Sequence, residues 1–139
     1  MQTSTPSCLL KILIVEDSAS IAGRLKRMLN DLLTSECIEV AENLTSARQV
    51  LSMSVPDVVI LDIHLQGEEP GVTGMDLLKI VRDKSKNTTV MMFTNYSDKQ
   101  YRERCMQLGA DYFFDKSTDF EKVPETIKMI SDKRNNIIH

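Results

Sequence analysis

The chain has 139 residues, which is enough for one hydrophobic core. Its composition, with 42% apolar and 27% charged residues, excludes a disordered or fibrous protein. A net charge of −3 and a pI near 5.4 give no support for a nucleic-acid surface, which is normally basic. No apolar run approaches the ~20 residues that span a bilayer, and residues 1–7 lack an apolar leader, so we expect a soluble cytoplasmic protein.

Short β-branched runs alternate with amphipathic segments, which is typical of a parallel sheet covered by helices. The predicted elements, in chain order, are a strand at 11–15, a helix capped by Ser18, a strand at 37–41, a helix at about 45–53, a strand at 57–61, a helix at about 73–83, a strand at 88–93, a helix at about 97–108, a strand at 111–115 and a helix from about 119. The pattern predicts an α/β fold, a doubly wound five-stranded parallel sheet with five helices, of the flavodoxin-like type.

The helices are predicted from apolar residues at helical spacing. The expected inward positions are Ile21, Leu25, Met28, Leu29 and Leu32 in the first helix, Ala47, Val50 and Leu51 in the second, Leu77, Leu78 and Val81 in the third, and Val123, Ile127 and Ile130 in the last. Pro56 ends the second helix, Gly109 ends the fourth, and Pro124 is tolerated in the first turn of the last helix.

One domain is expected at 10–132, with an N-terminal extension at 1–9 and a polar, frayed tail at 133–139.

Three cysteines, Cys8, Cys37 and Cys105, are too few and too widely spaced for a disulfide framework or a CxxC metal site. We therefore expect free thiols in a reducing compartment. Two histidines, His64 and His139, argue against a His-rich zinc site.

Polar side chains follow four of the predicted strands. They are Glu16 and Asp17 after the first, Asp62 after the third, Thr94 after the fourth and Lys116 after the fifth. Because ligands bind at the carboxyl ends of strands in open α/β sheets, these side chains should converge at one edge.

Three adjacent carboxylates repel one another unless a cation joins them, and Mg²⁺ prefers such hard oxygen ligands. A carboxylate beside Mg²⁺ can attack a phosphoryl donor, while the Lys116 ammonium and the Thr94 hydroxyl can stabilise the phosphoryl oxygens. Each residue alone has a simpler interpretation. Glu16 and Asp17 could begin a helix, Asp62 could lie in a solvated turn, Lys116 could be a surface charge, and Thr94 could cap the next helix.

The chain resembles the receiver domain of two-component response regulators over residues 10–131. The segments that carry the resemblance are ILIVEDS at 12–18, PDVVILDIHL at 56–65, Gly74, MMFT at 91–94 and GADYFFDKS at 109–117. The resemblance implies that Asp62 is the phosphoacceptor and that Glu16 and Asp17 position Mg²⁺. It also implies a metal ligand in the backbone carbonyl of His64. In that family the residues at Thr94 and Phe113 are the switch pair, and the one at Lys116 is the active-site amine.

The sequence departs from the family pattern at four places. The loop after Asp62 is longer than usual, Asn95 replaces a small residue, and Ser117 replaces a frequent Pro, which removes the main reason to expect a cis peptide. His64 and Tyr96 occupy positions that tend to tune the lifetime of the phosphorylated state in the family.

By resemblance the protein is a stand-alone, phosphorylation-switched signalling domain that catalyses its own phosphotransfer and autodephosphorylation. The implied donor is a histidine kinase or a His-containing phosphotransfer protein. The implied target is a protein that binds the face built from the fourth helix, fifth strand and fifth helix, or a further relay protein. The resemblance implies no direct contact with nucleic acid or membrane. Homodimers form on phosphorylation in many family members, and no feature of this sequence decides that point.

Three alternatives remain open. A receiver-like interaction module that is never phosphorylated would lack a site residue, and none is lost here. An aspartyl-phosphate hydrolase would need a second acid two residues after the nucleophile, where this chain has His64. A flavin carrier would need a phosphate-binding loop after the first strand, where Glu16 and Asp17 would repel phosphate.

Overall fold

The computed structural model describes residues 10–33, 36–65 and 68–138. It contains a five-stranded sheet in the order β2-β1-β3-β4-β5, with every neighbouring pair parallel. The strands are β1 (Leu10–Val15), β2 (Glu36–Ala41), β3 (Val58–Leu61), β4 (Thr89–Thr94) and β5 (Tyr112–Asp115). The helices are α1 (Ala19–Leu32), α2 (Leu44–Met53), α3 (Gly74–Lys84), α4 (Lys99–Gln107) and α5 (Lys122–Ile138). The predicted fold class is confirmed.

Both faces of the sheet are covered, which explains why the central strands are apolar at every position. In β1, Leu13 and Val15 pack in the layer that contains Leu51 of α2 and Leu77 of α3. The alternate residues, Ile12 and Ile14, pack in the opposite layer with side chains of α1 and α5. Successive side chains of a strand point to opposite faces, so one uninterrupted apolar run contributes to two cores.

Arg82 of α3 fixes the sheet edge opposite the carboxyl ends of the strands. Its Nε donates to the carbonyl of Gly109 at 2.8 Å, and its Nη1 donates to the carbonyl of Thr88 at 2.7 Å. Its Nη2 pairs with Asp111, whose Oδ2 also accepts the backbone N–H of Val90. One side chain thus links α3 to the start of both β4 and β5.

The structure differs from the predicted boundaries mainly in α5. The helix begins at Lys122 rather than near Asp119, because the Lys122 N–H donates to the Asp119 carbonyl at 2.9 Å and closes a turn before the helix. It continues to Ile138, where the sequence predicted a frayed tail from Lys133, since residues 133–138 contain no Gly or Pro that would end it. The predicted extension at 1–9 and the last residue of the tail, His139, lie outside the described residues.

Two further expectations are corrected. Leu32 was expected to face inward but is 44% exposed, because α1 ends there and the following residue, Leu33, turns into the core. Cys37 is disulfide-bonded, so the prediction of a free thiol is wrong at that position. Cys105 is a buried free thiol, as predicted, and its burial raises its pKa to about 11. Cys8 lies outside the described residues.

Gly74, the first residue of α3, lies against the backbone of the loop that follows β3. Its N–H donates to the carbonyl of Ile63 at 2.6 Å, and a Cβ at this position would lie 1.9 Å from the carbonyl oxygen of Asp62. Only glycine permits so close an approach, and the helix start therefore supports the backbone that carries Asp62.

We expect Gly74→Ala to lower the free energy of unfolding by about 1–3 kcal/mol, because the new methyl group must displace the backbone at Asp62. Gly23→Ala is the matched control. The same methyl group in α1 would meet Arg27 at an ordinary 3.6 Å, and helix propensity favours alanine by about 0.5–1 kcal/mol. Urea unfolding followed by circular dichroism measures both changes. A Gly74→Ala protein as stable as wild type would contradict the expectation.

Candidate functional site

The register of the sheet brings the predicted polar residues to one edge. Val15 pairs with Leu61, so Glu16 and Asp62 follow their strands at the same level. Thr94 ends β4 and pairs with Asp115, so Lys116 follows at that level on the next strand. The sequence-based expectation that these strand ends converge is therefore met by the geometry.

Lys116 is the centre of a buried charge cluster. Its Nζ lies 2.6 Å from Oδ2 of Asp62 and 2.8 Å from Oε1 of Glu16. All three side chains are at most 8% exposed. Ion pairs this well shielded from water interact much more strongly than pairs on the surface.

Two opposing effects set the pKa values in this cluster: burial favours the neutral form of each group, and pairing favours its charged form. Burial raises the pKa of Glu16, although Lys116 and the backbone N–H of Ser18 both favour its carboxylate. Burial alone would lower the pKa of Lys116, but hydrogen bonds and charges from Asp62 and Glu16 outweigh it and raise that pKa. Lys116 is therefore a fixed cation over the physiological range.

Three carboxyl groups lie close to the single positive charge of Lys116, so that one ammonium group does not balance them. Ligand atoms of Glu16, Asp17 and Asp62 lie within 4.8 Å of one another. Oε2 of Glu16 accepts the Ser18 N–H at 3.1 Å, and Oε1 lies 2.8 Å from the Lys116 ammonium in the ion pair, although that contact lacks hydrogen-bond geometry. Oδ1 of Asp62 is likewise buried and has no hydrogen-bond partner among the described residues, and the ion pair with Lys116 engages the other oxygen, Oδ2.

An orphaned carboxylate oxygen among three acids fits a hard divalent cation such as Mg²⁺. Glu16, Asp17 and Asp62 form a donor set for it. The further ligand predicted at the backbone carbonyl of His64 is not tested by these contacts and stays a prediction.

Thr94 and Phe113 are both buried. Thr94 is fully buried, its Oγ1 accepts the N–H of Tyr96 at 3.1 Å, and its carbonyl accepts the N–H of Lys116 at 3.0 Å. Phe113 is 5% exposed and packs between the sheet and α4, with the guanidinium carbon of Arg102 5.1 Å from its ring centroid. Their predicted switching roles are not tested by a single conformation.

A cleft of about 330 Å³ opens over Asp62 and Lys116, and His64, Asn95 and Tyr96 also line it. Asn95, which replaces the small residue usual in the family, is exposed at this cleft. The longer loop after β3 contributes Glu68, whose Oε2 accepts the N–H of Leu44 at the start of α2 at 2.8 Å.

Sequence reasoning missed three contacts that involve the loops at the carboxyl ends of the strands. They are the Glu68 contact with α2, a hydrogen bond from Ser97 to Asp115 and a contact between His64 and Tyr101. Hydrogen bonds from Ser117 and Ser97 lower the pKa of Asp115 to about 2. The two residues in each of these three contacts are 18 to 37 positions apart in the chain, so no local sequence pattern predicts the contacts.

The family model of the response regulator receiver domain matches residues 12–128. The chain is 27% identical to Sporulation initiation phosphotransferase F of Bacillus subtilis over 91% of this chain and 97% of that protein. It is 30% identical to a protein-glutamate methylesterase/protein-glutamine glutaminase of Burkholderia thailandensis, over 73% of this chain but only 28% of that protein. Among solved structures, the signal receiver domain of a DNA binding response regulator from Colwellia psychrerythraea is 28% identical. Its TM-score is 0.78, and the match covers 88% of this chain and 98% of that one.

Proposed function

The chain belongs to the response regulator receiver domain family, a family of signalling domains in two-component systems, and from this premise we propose that it is a phosphorylation-dependent switch with Asp62 as the phosphoacceptor. The observation that carries the proposal is Oδ1 of Asp62, which lies near the fixed cation Lys116 and accepts no hydrogen bond within the described part of the chain. A carboxylate oxygen that is buried without a partner is costly unless it binds a ligand or reacts.

In the proposed reaction, an Asp62 oxygen attacks the phosphorus of a phosphohistidine on a histidine kinase or phosphotransfer protein. An O–P bond forms, the N–P bond breaks, and the imidazole leaves. Lys116 neutralises charge on the phosphoryl oxygens, and the Thr94 hydroxyl can donate to one of them once it turns from its contact with the Tyr96 N–H. Mg²⁺ held by Glu16, Asp17 and Asp62, with the His64 carbonyl as a further ligand, would supply additional charge neutralisation.

The proposed output is a change of protein contacts. Movement of Thr94 toward the phosphoryl group would free space for Phe113, which packs against α4. A downstream protein would then bind the face of α4, β5 and α5, because phosphorylation favours a conformation already present as a minor state. Hydrolysis of the acyl phosphate by the domain itself would reset the switch.

We place this activity in the cytoplasm. Onward transfer of the phosphoryl group is a second possible output, since the relative in Bacillus subtilis is named a phosphotransferase.

The experiment is incorporation from acetyl phosphate, followed by intact-protein mass spectrometry with Mg²⁺ or with a chelator. We expect one phosphoryl group in the presence of Mg²⁺ and none after chelation, because three carboxylates alone repel a phosphate donor. Peptide mapping should place the label on the peptide that contains Asp62. Absence of label, together with an unchanged Phe113 environment in beryllofluoride, would support an interaction module that is never phosphorylated.

A further inference from the structure

Three aromatic side chains, His64, Tyr96 and Tyr101, form a cluster beside the cleft. The ring centroids of His64 and Tyr96 are 4.2 Å apart, and Tyr101 lies 5.8 Å from each of the other two. Every pair meets edge to face, which is a favoured geometry for aromatic rings. We call these three residues the aromatic cluster.

Two members of the aromatic cluster, His64 and Tyr96, form part of the wall of the cleft over Asp62. His64 and Tyr96 line the cleft together with Asp62, and Tyr96 is 48% exposed whereas Asp62 is 5% exposed. A donor or a water molecule that enters the cleft to reach Asp62 therefore passes a wall that includes the rings of His64 and Tyr96. Both rings are carried by loops, one after β3 and the other between β4 and α4.

Tyr101 is the member of the cluster that a helix holds in place. It lies in the first turn of α4, its N–H donates to the N-cap Asp98 at 3.1 Å, and its ring packs against the core on that side of the sheet. Its hydroxyl lies 3.3 Å from Nε2 of His64, within hydrogen-bond distance. Among the described residues this is the hydrogen-bond partner of the His64 ring, so the orientation of His64 depends on α4.

We propose that Tyr101 is a positioning residue whose hydroxyl holds the His64 ring against Tyr96, so that α4 controls how far the cleft over Asp62 is open. The functional effect of this contact rests on the proposed function, because the cleft gives access to Asp62, the proposed phosphoacceptor. A partner that moves α4 would change the rate at which Asp62 gains and loses its phosphoryl group. In the loss, water forms a new O–P bond as the Asp62 O–P bond breaks, giving phosphate and the free carboxylate.

Tyr101→Phe tests the proposal because it removes the hydroxyl and keeps the ring. We expect labelling by acetyl phosphate and hydrolysis of the acyl phosphate both to become about 3- to 10-fold faster, the range that corresponds to one ordinary hydrogen bond. The midpoint of thermal unfolding should fall by only about 2–8 °C, as the loss of one hydrogen bond predicts, and the Mg²⁺ affinity should not change. Tyr112→Phe is the matched control, since it removes a hydroxyl from β5, where Tyr112 stacks on Phe114 in the opposite layer of the core.

A double-mutant cycle separates positioning from a general structural effect. In a His64→Ala background, Tyr101→Phe should have no further effect on either rate, because the side chain through which Tyr101 acts is gone. Rates for Tyr101→Phe equal to those of wild type would overturn the proposal. The same acceleration in both backgrounds would also overturn it, since Tyr101 would then act without His64.

The ring protons of His64 provide a readout that needs no phosphorylation. The ring of Tyr96 is close enough to shift their NMR signals in wild type, and Tyr101→Phe should move them toward the values of an unrestrained imidazole at the same pH. His139, the second histidine, serves as internal reference. If wild type never labels but the signals move, the proposed function fails and the positioning role stands. If the signals do not move, the positioning role fails whatever the labelling shows.

Discussion

Asp62→Asn is expected to abolish phosphoryl incorporation completely while leaving the metal-free protein at least as stable as wild type. The amide cannot form the acyl phosphate, so no residual labelling should remain. Its carbonyl oxygen can still accept from Lys116, which lies 2.6 Å from Oδ2 in wild type. The substitution also removes one of three clustered carboxylates that share a single ammonium group, and so relieves repulsion.

The measurements are intact mass after treatment with acetyl phosphate and Mg²⁺, and urea unfolding without metal. Asp57→Asn is the matched control at the other end of the same strand. Asp57 accepts the N–H of Lys11 and pairs with Arg134, far from the cleft, so this variant should label like wild type even if it is less stable. Labelling of Asp62→Asn at another residue would show that the phosphoacceptor was assigned wrongly.

Lys116→Met is expected to lower the free energy of unfolding by about 3–5 kcal/mol at neutral pH, because it leaves two buried carboxylates without their cation. Methionine fills a similar volume, so the change isolates the charge. Added Mg²⁺ should restore part of the loss by linkage, since a cation that binds the folded state stabilises it. Phosphoryl incorporation should fall as well, because the charge that faces the phosphoryl oxygens is gone.

Lys99→Met is the control for the loss of a lysine. Lys99 is 87% exposed and pairs with Glu103 at 3.7 Å on α4, and such surface pairs contribute at most about 1 kcal/mol. Equal losses for the two variants would contradict a special role for the buried cluster.

The pH dependence gives a second check on Lys116. The folded-state pKa of Lys116 is raised, so its contribution is fully present below the unfolded value of 10.5 and is lost as pH rises through the folded value. Wild type should therefore lose stability at alkaline pH in a way that Lys116→Met does not. The difference between the two unfolding curves measures this loss directly.

The fold could be predicted because its signals are local. The apolar run of β3, buried at every position, and the helix-capping Ser18 each lie within a few neighbouring residues. The convergence of Glu16, Asp62 and Lys116 could also be predicted, since parallel strands fix which ends meet. The sequence could not indicate which oxygen of Asp62 would be left without a partner, because that depends on where the Lys116 side chain lies.

Contacts between distant loops had no sequence signal. His64 and Tyr101 are 37 residues apart, and the position of Tyr101 in α4 is explained equally well by core packing. The end of α5 was misjudged for a different reason. Polar residues after Lys133 suggested fraying, but the absence of a helix breaker allowed the helix to continue.

The strand order has a consequence for the nascent chain on the ribosome. Of the strands that the structure describes, β1 is made first, and it becomes an inner strand with β2 on one side and β3 on the other. When residues 10–41 have emerged, β1 and β2 can pair, but the other edge of β1 stays open until residues 58–61 follow. An open apolar edge is a template for pairing with another chain. Translation pauses between residues 41 and 58 should therefore increase co-translational aggregation, and pauses after residue 61 should do so much less.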